Sequence, residues 1–218
     1  MIKAAIYDLD DLMVNSLPLH RRAWDILFNE YQVKTADLPP NLSSRFVGMR
    51  ISDILKEMIN HFKLKADYQI LYQKRQEIFL KLAAAELEML PGLIESLNFF
   101  RDNKIKIALA TSGTKRYINF VLNKFNLNDF FDIIITGDDV KLGKPNAETY
   151  QVTCQKLNLD PKDCVVLEDA TSGIMAAKAA NCKCIAIKNP HTPPQILDQS
   201  DLILNSLAEI DLNVLNSL

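Results

Sequence analysis

Beyond residue 92 the sequence alternates between stretches of helical periodicity and short, almost wholly apolar runs, and nothing else in the chain constrains the fold as much. Helical patterns at 93–102, 115–125, 147–157 and 172–180 each precede an apolar run, at 105–111, 133–137, 164–168 and 182–187, with a last run at 202–204. Apolar runs this short, without polar alternation, read as strands buried on both faces. Strands separated by helices pair in parallel through right-handed crossovers, in a sheet with helices on both sides. Ile2 to Tyr7, apolar and too short for a helix, supplies one more such strand.

A different kind of sequence lies between that first strand and the alternation. Residues 16–88 carry only helical patterns: Ala23, Trp24, Leu27, Phe28 and Tyr31 recur at helical spacing, and Ser52-Asp53 and Asp67 offer further helix starts. Ser16 suits an N-cap, Pro18 is tolerable in a first turn, and Leu38-Pro39-Pro40-Asn41 reads as a break. A helical stretch this long exceeds any ordinary connection, which makes it a separate lobe. The expected fold class is α/β, a Rossmann-like parallel sheet core with helices on both faces and an inserted all-helical domain. The core is expected to comprise residues 1–15 and 90–218 and the insertion residues 16–89. Hinges are expected near Asn15-Ser16 and Leu90-Pro91-Gly92.

Composition removes several function classes. Lys and Arg number 25 against 27 Asp and Glu, with a formal net charge of −2, so no general polyanion-binding surface is indicated and nucleic acid is not an expected partner. Cys154, Cys164, Cys182 and Cys184 have neither scaffold spacing nor a histidine cluster, which fits free buried thiols in a reducing compartment. The first residues resemble neither a signal peptide nor a membrane span. The expectation is a soluble, cytoplasmic, monomeric protein with no membrane partner.

Chemistry concentrates at the strand ends. Asp8 and Asp10 follow the first strand, where open α/β sheets gather ligands, although two acids there serve equally well to solvate a turn or cap a helix. Thr111-Ser112-Gly113, Gly143-Lys144-Pro145 and Glu168-Asp169 stand at or beyond other strand ends. In a parallel sheet all four groups converge on one edge. Two acidic pairs offer hard oxygen ligands to Mg²⁺, which favours few protein ligands and shared phosphate oxygens. Lys144 supplies positive charge for a phosphate, and Thr111 with the N–H groups of Ser112 and Gly113 can donate to its oxygens. Such a set suits phosphoryl transfer, with Asp8 as nucleophile and Asp10 as general acid and base.

Taken in order, these four elements resemble the signature of the haloacid dehalogenase-like phosphatase superfamily, and the insertion resembles its helical cap. Leu17 to Trp24, Lys104 to Ser112 and Val166 to Ile174 are similar to the branch holding β-phosphoglucomutases and sugar-phosphate phosphatases. The resemblance implies that Asp8 is nucleophile and Mg²⁺ ligand, and that Asp10 adds its backbone carbonyl to the metal. Thr111 then binds the transferring phosphoryl group, Lys144 balances its charge, and Glu168 and Asp169 complete the metal site. The substrate it implies is a small phosphorylated metabolite, a sugar phosphate above all, and the cofactor is Mg²⁺.

The departures from that pattern carry expectations of their own. Members of the superfamily usually place glycine after the second aspartate, then threonine or valine, where this chain has Asp11 and Leu12; Asp11 is expected to set bulk and negative charge beside the substrate and lower phosphate affinity. Asn15 and Ala170 replace a frequent aspartate and serine. In the cap, Gly48 and Arg50 are expected at the substrate, with Arg45 a further candidate, and His20 faces the cleft or packs beside it. Gln76 stands where an ungapped alignment puts a mutase lysine, so a second phosphate clamp is doubtful and hydrolysis is expected. The alternatives are a β-phosphoglucomutase-like phosphotransferase and a weakly active phosphate-binding protein.

Overall fold

The computed structural model describes residues 1–218. Six strands form one sheet: β1 (Ala4–Tyr7), β2 (Lys106–Ala110), β3 (Ile133–Ile135), β4 (Cys164–Glu168), β5 (Lys183–Ile187) and β6 (Leu202–Leu204). They are all parallel and run in the order β3-β2-β1-β4-β5-β6. The order reverses beside β1, and such a switch point opens a crevice at the carboxyl ends of the strands. Register fixes what stands there. Tyr7 pairs with Leu109 and with Leu167, so the next residues, Asp8, Ala110 and Glu168, leave the sheet at one level.

Alternation along β1 feeds two cores. Ala5 and Tyr7 join α5 (Leu93–Asp102) and α6 (Lys115–Phe125) on one face, whereas Ala4 and Ile6 join α7 (Glu148–Leu157) and α8 (Thr171–Ala179) on the other. The four cysteines are free and buried, and they belong to the second face. A short α9 (Leu212–Asn216), capped by Asp211 on the Val214 N–H at 2.8 Å, closes the chain; its few residues gave no readable period.

Between β1 and α5 the chain is helical: α1 (Leu17–Phe28), α2 (Pro40–Arg45), α3 (Ile51–His61) and α4 (Tyr68–Glu86). They enclose their own apolar cluster, with Trp24, Leu27, Phe28, Phe46, Leu55 and Met58 at its heart. Asp67 caps α4 through the Ile70 N–H at 3.0 Å. No helix crosses the proline pair at 39–40: α1 ends earlier, at Phe28, and Pro40 opens α2 in its first turn, a position that needs no N–H donor. The segments entering and leaving this block lie side by side. Val14 bridges Met89, the Asn15 N–H donates to Glu88 O at 3.0 Å, and the Leu90 N–H donates to Met13 O at 2.9 Å. No helix is long and apolar enough to cross a membrane.

Candidate active site

Asp8 follows β1 directly and is 4% exposed. Its Oδ1 accepts from Lys144 Nζ at 2.7 Å, and the same ammonium donates to Glu168 Oε1 at 2.7 Å and Ala110 O at 3.2 Å. Three acceptors satisfy the three donors of a lysine, so Lys144 is locked in place. Burial opposes its charge, but Asp8 and Glu168 more than offset that and raise its pKa. Burial pushes the Asp8 carboxyl up to about 8 against the pull of Lys144, with Glu168 and Asp10 adding repulsion.

Glu168 is the best-anchored acid. Its Oε1 also accepts from the Tyr150 hydroxyl at 2.7 Å, and its Oε2 from the N–H groups of Asp169 at 3.1 Å and Ala170 at 3.3 Å. The carboxylate lies against the Cα of Gly173 in α8, in the space that any Cβ there would fill. Asp169 is the opposite case: both carboxylate oxygens are buried without a partner, and burial with repulsion from Asp11, Glu168 and Asp8 drives its pKa up.

Asp8, Glu168 and Asp169 each offer a carboxylate oxygen, all within 4.8 Å of one another. Three buried acids face one lysine, and the two unpartnered oxygens of Asp169 are available to a cation. The all-oxygen donor set and buried charge excess fit Mg²⁺. The Asp10 side chain is not in this cluster, so any part it has in holding metal falls to its backbone carbonyl.

Asp10 turns instead toward the helical block. Its Oδ1 accepts from the Tyr117 hydroxyl at 2.8 Å and lies 3.6 Å from His20 Nε2. Burial works against its charge, but His20 and Tyr117 outweigh burial and hold the carboxyl below its usual range. Arg75 donates to His20 Nδ1, and since an arginine cannot accept, the imidazole proton sits on Nε2, toward Asp10. Burial and the Arg75 charge lower the His20 pKa, which keeps that ring neutral. His20 stacks on Phe79 with ring centroids 4.0 Å apart.

The remaining expected residues divide. Thr111 is buried at the end of β2, and its Oγ1 accepts from the Gly113 N–H at 3.0 Å, so that N–H serves the loop itself in this conformation. The Ser112 hydroxyl donates to Gly48 O at 2.8 Å, and the Ser172 hydroxyl to Val47 O at 2.9 Å. Gly48 has φ +78°, and a Cβ there would collide with Ser172, so this close approach of the helical block to the sheet requires glycine.

Arg50 is turned away from the substrate position expected for it. Its Nε binds Asp53 at 2.8 Å and its Nη1 reaches Lys141 O at 3.1 Å, which clasps the loop leading to Lys144. Arg45 is exposed and paired with Glu57. Asp11 lines the cavity and its charge repels Asp169, but its carboxylate is held by backbone. At φ +62° its Oδ1 accepts from the N–H groups of Ser16 at 3.1 Å and Leu17 at 2.9 Å, so it caps α1 in place of the Ser16 hydroxyl, which has no partner. Its bulk is directed at a helix terminus, where negative charge is favourable. Burial and repulsion from Asp10 nonetheless push its carboxyl up to about 7.

Four functional residues escaped the sequence reading. Tyr117 and Tyr150 sit on amphipathic helices and look like packing residues, Gly173 looks like a helix irregularity, and Arg75 looks like a solvated cation beside Lys74. Arg75 is in fact fully buried, its guanidinium 4.6 Å from the Trp24 ring and 4.8 Å from Phe79, with Nε and Nη1 unpartnered. It lines a cavity of about 430 Å³ that also exposes Asp8, Asp10, Thr111 and Gln76.

The family model described as "Haloacid dehalogenase-like hydrolase" matches residues 5–187. The validoxylamine A 7'-phosphate phosphatase of Streptomyces hygroscopicus subsp. limoneus is 30% identical over 217 residues, 96% of each chain. The phosphorylated carbohydrates phosphatase of Thermotoga maritima is 30% identical over 179 residues, 82% of each chain. Among solved structures, CbbY from Rhodobacter sphaeroides in complex with phosphate superposes with a TM-score of 0.85 at 25% identity, covering 99% of this chain and 100% of that one.

Proposed function

The chain belongs to the haloacid dehalogenase-like hydrolase family and is a phosphatase, and we propose that it hydrolyses small phosphorylated metabolites, sugar phosphates among them, with Mg²⁺ and through an aspartyl-phosphate on Asp8. The observation that carries this reading is the convergence of Asp8, Lys144, Glu168 and the unpartnered Asp169 at the switch point. The names of the two phosphatase relatives support the substrate class.

In this reaction an Asp8 oxygen attacks phosphorus while the ester oxygen leaves. Lys144 neutralises charge on the transferring group, and Thr111, whose hydroxyl accepts from the Gly113 N–H and keeps its own proton to give, donates to one of its oxygens. Asp10 rests ionised beside neutral His20. An arriving phosphate dianion raises its proton affinity, so that it takes up a proton from solvent and gives it to the leaving oxygen as the phosphorus–ester bond breaks. Afterwards the same carboxylate takes a proton from the water that attacks the aspartyl-phosphate. Asp8, Glu168, Asp169 and the Asp10 carbonyl would hold Mg²⁺, which when bound would supply charge neutralisation at the phosphoryl oxygens.

Residues 16–89 act in this proposal as a cap domain on a core of residues 1–15 and 90–218. Its closed position is secured by the Ser112, Ser172 and Arg50 contacts, and its opening pivots on the paired segments at 13–16 and 88–90. Phosphate release from a panel of phosphorylated metabolites, with Mg²⁺ or with EDTA, tests the reading. Turnover that requires Mg²⁺ and is lost in Asp8→Asn is expected; turnover surviving either change overturns it. Conversion of β-glucose 1-phosphate to glucose 6-phosphate without free phosphate would replace hydrolysis by mutase chemistry.

A further inference from the structure

The cavity that opens at Asp8 does not end at the catalytic groups. Past Arg75 it runs on into the helical block, where Trp24, Leu38, Phe46, Ile54 and Met58 form its walls. These residues also belong to the block's own apolar cluster, so the chamber is a gap left inside that cluster. Of the polar side chains along it, Thr35 and Ser43 already give their hydroxyl protons, to Asp25 Oδ1 at 3.0 Å and Pro40 O at 3.1 Å, and Arg21, one turn before Trp24 on α1, is exposed to solvent. Arg50, the cation expected to greet a distal substrate group, is spent on Asp53 and the loop at 140–141.

This distribution discriminates between leaving groups. A polyol pushed beyond Arg75 would leave water for walls that offer it only the acceptor oxygens of Thr35 and Ser43, too few for its several hydroxyls, a loss that little offsets. An apolar end in the same place gains its full transfer free energy. At about 430 Å³ the cavity has room for much more than a phosphoryl group. The two unpartnered donors of Arg75 stand where the polar part gives way to the apolar part, and an oxygen of the ligand would satisfy them.

Resting on the phosphatase reading above, we propose that the preferred substrates are amphiphilic phosphomonoesters, with an oxygen acceptor near Arg75 and an apolar end seated among Trp24, Phe46, Ile54 and Met58.

The test is phosphate release by the Mg²⁺-supplemented enzyme from ethyl, butyl and hexyl phosphate, with glucose 6-phosphate as a polar comparison. Expected is a rise in kcat/KM of about two- to fourfold per added methylene, as burial of a methylene predicts, with hexyl phosphate ahead of glucose 6-phosphate. A flat or falling series, or preference for the sugar ester, overturns this inference and leaves the phosphatase reading standing. Release from none of the four overturns both. Ile54→Trp, which fills the chamber, should lower the hexyl-to-ethyl ratio about tenfold, and Met58→Gln should lower the same ratio by placing an amide in the apolar wall. The ratio does not depend on how much of each variant folds, so an unchanged ratio in both also overturns the inference.

Discussion

Two walls face each other across one cavity, Asp8 in one and Arg75 in the other, and the residues behind and within them treat buried charge in opposite ways. On the sheet side, Lys144 has three acceptors and Glu168 four donors, all within 3.3 Å. On the helical side, Arg75 is just as buried but leaves Nε and Nη1 without partners, held mainly by the faces of Trp24 and Phe79. An over-determined network fixes geometry before any ligand arrives, which is what displacement at phosphorus requires. A cation wedged between aromatic rings keeps its donors for whatever enters. The sheet edge is built for one reaction and the helical wall for one set of leaving groups.

The sharpest way to break this contrast is to remove the nucleophile. Asp8→Asn is expected to lower kcat by about 10³-fold or more with the fold intact by circular dichroism; retained turnover would mean that the sheet edge is not the reacting wall. Gly173→Ala drives a methyl into the Glu168 carboxylate, and Mg²⁺ affinity measured by activity titration should fall about 10- to 100-fold. On the opposite wall, Arg75→Met should raise KM about tenfold on a good substrate, as loss of a charged hydrogen bond predicts. The same change should stabilise the ligand-free protein by about 1 kcal/mol or more in urea denaturation, because it removes a buried and half-satisfied charge. A loss of stability would show that Arg75 is structural.

pH separates the walls more gently. The Asp8 carboxyl is raised, so the folded chain keeps a proton that the unfolded chain has released. Stability is then fully present in acid and falls as pH rises from about 4 through about 8. Melting curves of the metal-free protein should show this decline, and saturating Mg²⁺ should flatten it by neutralising the carboxylates. The smallest effect is expected at the contact between the walls. Ser112→Ala and Ser172→Ala each remove one hydrogen bond to the cap loop, a loss of about 1 kcal/mol, and should raise KM a few-fold with kcat nearly unchanged.

Asp11 shows how far residue identity carries and where it stops. Its place in the motif marks it as an intrusion of negative charge beside phosphate. In the fold its carboxylate swings onto the first N–H groups of α1, an orientation that needs both a left-handed backbone and a helix start six residues on. Arg50 teaches the same lesson: its position in the cap loop was readable, but its direction depends on carbonyls 90 and 91 residues away. Arg75 gave no signal at all, since a cation beside Lys74 and Glu77 looks solvated until Trp24 and Phe79 close over it.

The class of fold and the place of the chemistry were legible in the order of the residues alone. Strands buried on both faces must be apolar throughout, helices between them impose parallel pairing, and parallel pairing brings every strand end to one edge, so Asp8, Thr111 and Glu168 had nowhere else to meet. Which acids are paired and which is left for a cation, which arginine faces the cavity, and the apolar character of the far chamber emerge from the packing. Those outcomes depend on side-chain direction and on neighbours as distant as the 136 residues between Asp8 and Lys144, which no local period encodes.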